Sequence, residues 1–208
     1  EFNKASVLES RVQALKKQWS ITNKHKVIFV PGRLTRWKGQ AIVLKALEGL
    51  MPQNPDLVFV FIGSDQGRRG YSQELKEQVE QSSLVDHVRF VDHVADMPAA
   101  YCVGNLVVHA STDPEAFGRV IIEAQAMEVP IIASNLGAPA QTIKVGKTGW
   151  LHNAGDSVDL ALKIQHVLDI DCSPFTKEAL VHVQENYSDQ LMFEKTIAVY
   201  KRVLKRDH

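Results

Sequence analysis

Short apolar runs rich in β-branched and aromatic residues alternate with longer segments of helical period along nearly all of the 208 residues, and no other feature limits the fold as strongly. Val27 to Val30 and Leu57 to Ile62 contain no polar alternation. Such runs suit strands covered on both faces, as in a parallel sheet whose crossover helices lie above and below it. They stop well short of the roughly 20 residues a bilayer-spanning helix needs. The pattern is α/β: a doubly wound, Rossmann-like parallel sheet with helices on both faces and a helical C-terminal tail.

Strands are predicted at Lys26–Val30, Leu57–Ile62, Val88–Val91, Leu106–His109, Pro130–Ala133 and Gly149–Leu151. Helices are predicted at Ala5–Trp19, with Val7, Leu8, Val12 and Leu15 on one face, and at Gly39–Leu50, Tyr71–Ser83 and Pro98–Cys102. Others run from Gly118 to Glu128, Ser157–Leu168, Pro174–Glu185 and Asp189–Lys205. No repeat or low-complexity linker divides the chain, so residues 1–208 read as one domain. The chain opens Glu1-Phe2-Asn3 with neither an initiator Met nor a signal-type apolar stretch, which reads as a piece of something longer.

Lys plus Arg and Asp plus Glu number 24 each. Without a net positive field, sequence-independent capture of nucleic acid loses its main driving force, so no nucleic-acid partner is expected and any anion must be met locally. Cys102 and Cys172 stand far apart without metal-ligand spacing, which fits a reducing compartment such as the cytoplasm. The eight histidines include no H-E-x-x-H. Asp169-Ile170-Asp171 has a D-x-D form, but it ends a helix just before Ser173-Pro174, a natural N-cap and first helical residue, so its acids are assigned to helix electrostatics. No metal ligand is expected. His109, closing an apolar strand, reads as a core histidine.

In doubly wound sheets ligands sit beyond the C-terminal ends of the strands, and two loops there stand out. In Gly32-Arg33-Leu34-Thr35-Arg36-Trp37-Lys38-Gly39, Gly32 permits a sharp turn while Arg33 and Lys38 flank the mouth of the next helix. Two cations and a helix dipole suit a diphosphate, although neither the dinucleotide-binding nor the P-loop spacing is present. In Asp113-Pro114-Glu115-Ala116-Phe117-Gly118-Arg119-Val120-Ile121-Ile122-Glu123, two carboxylates bracket a helix N-terminus. Carboxylates accept from sugar hydroxyls and free amides suit phosphate. Taken alone, each loop also fits an ordinary solvated surface.

Together the loops resemble the donor-binding half of the retaining GT-B glycosyltransferases of group 1, or family 4. The family's Gly-Arg-Leu turn followed by Lys-Gly is matched by Gly32, Arg33, Leu34, Lys38 and Gly39, and its E-x7-E by Glu115 and Glu123. Val88-Arg89-Phe90-Val91, Met97-Pro98, Pro130 to Asn135, Gly146-Lys147-Thr148-Gly149-Trp150 and Tyr187-Ser188 extend the likeness. Ala116, Arg119, Asp92 and Gln141 depart from the family's usual residues.

The resemblance implies one half of a GT-B fold that binds a nucleoside diphosphate sugar, such as a UDP-, GDP- or ADP-sugar, with retention and with neither cofactor nor essential metal. Arg33 and Lys38 would meet the diphosphate, Glu123 the ribose and Glu115 the transferred sugar, making Arg33, Lys38 and Glu115 the catalytic set. Gly32 and the amides from Ala116 and Phe117 through Gly118, Arg119 and Val120 would line the sugar and phosphates, and the turn at His93 and Val94 would border the base. The acceptor, a glycan or lipid-linked molecule, would bind an N-terminal domain outside this sequence, and contact of the full-length protein with the inner face of the membrane stays open. Two alternatives remain at this point: a non-catalytic nucleotide-sugar binding module and a GT-B-like sugar-nucleotide epimerase.

Overall fold

The apolar runs become six strands: β1 (Lys26–Pro31), β2 (Leu57–Ile62), β3 (Val88–Val91), β4 (Leu106–His109), β5 (Ile131–Ser134) and β6 (Trp150–His152). In the computed structural model, which describes residues 2–67 and 69–204, all pairings are parallel and the order is β3-β2-β1-β4-β5-β6. Side chains alternate across each strand, so two cores form. Ile28, Val30, Phe59, Phe61 and Val108 face one core, and Val27, Phe29, Val58, Val60 and Val107 face the other.

The helices are α1 (Glu9–Gln18), α2 (Gln40–Leu50), α3 (Arg69–Glu80), α4 (Met97–Val103), α5 (Arg119–Ala126), α6 (Pro139–Thr142), α7 (Ser157–Asp169), α8 (Ser173–Asn186) and α9 (Asp189–Leu204). Val43, Leu44 and Leu47 of α2, Leu75 and Val79 of α3, and Leu160 and Ile164 of α7 close the first core. Val12 of α1, Ala100 and Tyr101 of α4, and Ile121 and Ala124 of α5 close the second. Helices therefore cover both faces, as the doubly wound pattern requires. No described helix is long and apolar enough to cross a membrane. Helix α9 contains no buried residue and exposes Met192, Phe193, Val199, Tyr200, Val203 and Leu204.

Three local expectations are corrected. The first helix does not run unbroken from Ala5: a 3-10 turn, Lys4–Ser6, precedes it, Val7 and Leu8 are extended, and Leu8 is 66% exposed. Apolar spacing misleads there because Asn3 caps the short turn through the amide of Ala5. Helix α6 lies in a stretch to which the apolar pattern assigns no element, with Pro139 in its first turn. At the start of α8 the N-cap position belongs to Cys172 rather than Ser173, and the amide of Ser173 donates to Asp171 at 3.0 Å. Asp169 meanwhile accepts from Gln165, so both acids of the D-x-D serve local helix structure.

Candidate functional site

The strand order reverses between β1 and β4, which are adjacent in the sheet although their connections leave in opposite directions. A crevice opens at such a switch point beyond the strand ends. The two loops singled out in the sequence are the loops that leave β1 and β4. They are joined through backbone: the carbonyl of Trp37 accepts from the Thr112 amide at 2.7 Å and from its hydroxyl at 3.3 Å.

In the β1 loop, a short 3-10 turn (Arg36–Lys38) ends at Gly39, which is also the N-cap of α2. This places Lys38 at the helix mouth, with its stem over Gly32. Arg33 is exposed and donates to the Gln66 side chain at 3.3 Å. Gln40, buried beneath the loop, donates to the Arg33 carbonyl at 2.8 Å and so fixes the turn's shape.

The β4 loop holds Glu115 by its backbone and by its carboxylate. Its carbonyl accepts from the Ala138 amide at 3.0 Å, and it forms an isolated parallel bridge with Gly137. Oε1 accepts from Lys38 Nζ, from His109 Nε2 at 2.7 Å and from Ser111 Oγ at 2.6 Å. Oε2 accepts from no described residue and is open to the surface. Burial alone would raise the Glu115 pKa, but hydrogen bonds from His109, Lys38 and Ser111 outweigh it and hold the carboxyl well below the ordinary range.

A folded-state value below the ordinary 4.5 adds stability that is complete above that pH and is lost as pH falls through the depressed value. Glu115→Gln should therefore flatten the acid side of the stability profile, read from urea melts between about pH 3 and 7. An unchanged slope below pH 4.5 would show that Glu115 is not held ionised in this way.

Helix α5 starts at Gly118, whose left-handed backbone (φ 73°) serves as N-cap without a side-chain cap. The amides of residues 117–120 have no acceptor among the described residues, so the helix mouth is available to an anion. Ala116 and Arg119 are exposed, Val120 is half-buried, and Phe117 is 49% exposed with its ring edge-on to Tyr187 at 6.2 Å. In the second turn Glu123 Oε2 accepts from the Tyr101 hydroxyl at 2.9 Å, and Oε1 pairs with Arg119 at 3.2 Å. Burial of Tyr101, with Glu123 beside it, pushes the phenol well above its usual range, so it stays a donor to the carboxylate.

A cavity of about 470 Å³ is lined by Arg119 and Glu123 together with Phe2, Gln184 and Tyr187. Arg33, Lys38 and Glu115 do not line it; they stand at the switch point. The two carboxylates thus share no partner. Glu115 belongs to the β1 and β4 loops, Glu123 to α4 and α5. At the predicted base turn, Val94 is buried in the core while His93 is exposed, so this turn offers a ligand its backbone and the His93 ring.

A sequence profile described as Glycosyl transferases group 1 matches residues 12–185. The chain belongs to the glycosyl transferases group 1 family. Spore coat protein SA of Bacillus subtilis is 30% identical to this group 1 chain over 186 residues, covering 85% of it and 49% of the spore coat protein. A solved glycosyltransferase of Rickettsia africae superposes with a TM-score of 0.94 at 28% identity, over 98% of this chain and 54% of that one. Anabaena HepE in complex with UDP-glucose gives 0.82 at 29% identity, over 95% and 54%. The group 1 chain spans about half the length of these relatives, and its six-stranded parallel sheet is that of one half of a GT-B fold.

Three side chains not expected at the site belong to it in this group 1 chain. His109 is buried, as expected, but it donates to Glu115 instead of merely packing, and its Nδ1 has no partner among the described residues. Ser111 adds a hydroxyl donor to the same carboxylate oxygen, and Tyr101 donates to Glu123. The available signal was spacing: His109 and Ser111 stand two apart at a strand end, hence on one side of the chain, just ahead of Glu115.

Proposed function

We propose that this group 1 chain is the C-terminal, donor-binding half of a retaining GT-B glycosyltransferase of the family 4 type. It moves a hexose-type sugar from a nucleoside diphosphate donor to a glycan or lipid-linked acceptor in cell-envelope polysaccharide synthesis at the cytoplasmic face. The observation that carries this reading is the contact between Lys38 and Glu115 across the switch point, which sets a phosphate-binding cation beside an acceptor for sugar hydroxyls. UDP-glucose bound to the similar HepE supports it.

Arg33, Lys38 and the uncapped mouth of α5 neutralise the charge that grows on the leaving diphosphate, and positive groups already in place cost no reorganisation as the bond breaks. That arrangement supports chemistry without an essential metal. Glu123, braced by Tyr101, receives the ribose hydroxyls. Glu115 offers its open Oε2 to the transferred sugar. A carboxyl held ionised by three donors on one oxygen is a weak base and an anchored acceptor, so it positions the sugar and is not assigned as a nucleophile. The acceptor binds the half of the relatives' length that this chain does not span.

Calorimetric titration of the chain with UDP-, GDP- and ADP-glucose tests the reading: one series should bind clearly tighter than the others. Glu123→Ala should weaken binding of the matching nucleoside diphosphate roughly tenfold, the loss of one charge-assisted contact. Glu115→Ala should leave free diphosphate binding within a few-fold while reducing discrimination among donor sugars. Binding unchanged in both variants would overturn the site.

A further inference from the structure

We infer that Trp37 is a positioning residue that fixes the geometry of the two diphosphate cations, Arg33 and Lys38. This rests on the donor-binding reading above and assigns the part of that site which orders it before the ligand arrives.

The Lys38 Nζ lies 4.4 Å from the centroid of the Trp37 ring, and the Arg33 Cζ lies 5.8 Å from the same centroid. Both fall within the range in which an aromatic face attracts a cation, and indole is the strongest such face among side chains. Trp37 is half-buried, whereas Trp19 and Trp150 are buried in the cores at 4% and 7% exposure. Its backbone is fixed from the opposite loop by the Thr112 amide and hydroxyl. The ring therefore stands on a backbone tied to the β4 loop while it lies against both cations of the β1 loop.

The cations need such a support. Like charges in one short loop repel, and each long side chain carries rotamer freedom that binding must remove. Beyond the ring, Arg33 has only the amide oxygen of Gln66 at 3.3 Å among the described residues. Lys38 has Glu115, a full negative charge that offsets the positive field offered to phosphate. An aromatic face differs from a carboxylate here: it attracts both cations without cancelling their charge. Trp37 thus brings Arg33 and Lys38 to one place and leaves them positive for the diphosphate.

Calorimetric titration of the whole chain with UDP, GDP and ADP and with the corresponding monophosphates tests this in wild type, Trp37→Leu and Trp37→Phe. Leucine keeps apolar bulk without the aromatic face, and phenylalanine keeps a face. For whichever diphosphate the wild type binds tightest, Trp37→Leu should weaken binding on the order of 5- to 30-fold, and Trp37→Phe should recover most of the loss. The monophosphate should weaken less than the diphosphate. Wild-type affinity in Trp37→Leu would overturn the inference. So would equal weakening of mono- and diphosphate without recovery by phenylalanine, which marks a packing role alone. If the wild type binds none of the three diphosphates, the donor-binding reading itself fails, a result separate from any effect of Trp37.

Discussion

Lys38→Ala should weaken nucleoside diphosphate binding by about 100-fold, the largest loss expected from one substitution at the crevice. Two effects add. The diphosphate loses a charged hydrogen-bond donor, and Glu115, released from its pair, turns an uncompensated negative charge toward the phosphates. Both side chains of the pair are only 13% exposed, so solvent screens this charge poorly. A double-mutant cycle separates the two effects. In the Lys38→Ala background, Glu115→Gln should restore a measurable share of the affinity, because it removes the repulsion without returning the cation. Strict additivity would mean that the two residues do not communicate through the ligand. Lys38→Arg should rescue only partly, since the broad guanidinium does not replace a compact ammonium seated on the stem path above Gly32.

Gly39→Ala should be the most damaging conservative substitution for folding. Gly39 has φ 73°, where a side chain costs about 1–2 kcal/mol. A Cβ there would also stand 1.9 Å from the Ala110 carbonyl oxygen and 2.8 Å from its carbon, both backbone atoms that cannot swing aside. The start of α2 would have to move off the end of β4. A total loss of about 3–4 kcal/mol is expected, which lowers the melting temperature by roughly 10 °C in a chain of this size. Gly49→Ala is the matched control: inside α2, with nothing within 4 Å of its added carbon, it should stabilise by about 0.5–1 kcal/mol. Because the approach of Gly39 to Ala110 also sets Lys38 against Glu115, folded Gly39→Ala protein should bind diphosphate poorly. Wild-type stability and affinity in that variant would show that the two loops are not in close contact.

The sheet was legible because its strands carry long apolar runs: every residue of β2 is apolar and buried, as are Leu106 to Val108 of β4, and a run of that kind has few other uses. The helix ends were less legible where short polar side chains decide them. Asn3 captures an amide and Asp171 captures another, and each moves a boundary that apolar spacing alone places elsewhere. Of the candidate site, the two loops that carry Lys38 and Glu115 were legible, but the contact between these side chains was not. His109 could not be separated from a core histidine, since burial and an apolar neighbourhood look the same in sequence whether or not the ring donates to a carboxylate. Tyr101 was hidden similarly: its ring is wholly buried against Phe29, and only the hydroxyl reaches Glu123.

The strand order also bears on when the crevice can come into being. Lys38 and Glu115 are 77 residues apart, and the Val27 amide, which donates to the Asn105 side-chain oxygen, reaches across 78. No segment of the chain holds both halves of the crevice. Contacts of such separation are slow to form, because chain entropy is spent before they reward it. The crevice is thus assembled late, after β4 has docked beside β1, and cannot form on a nascent chain before the β4 loop has been made. A nucleoside diphosphate that binds only the finished crevice would then pull folding toward completion, raising apparent stability with ligand concentration.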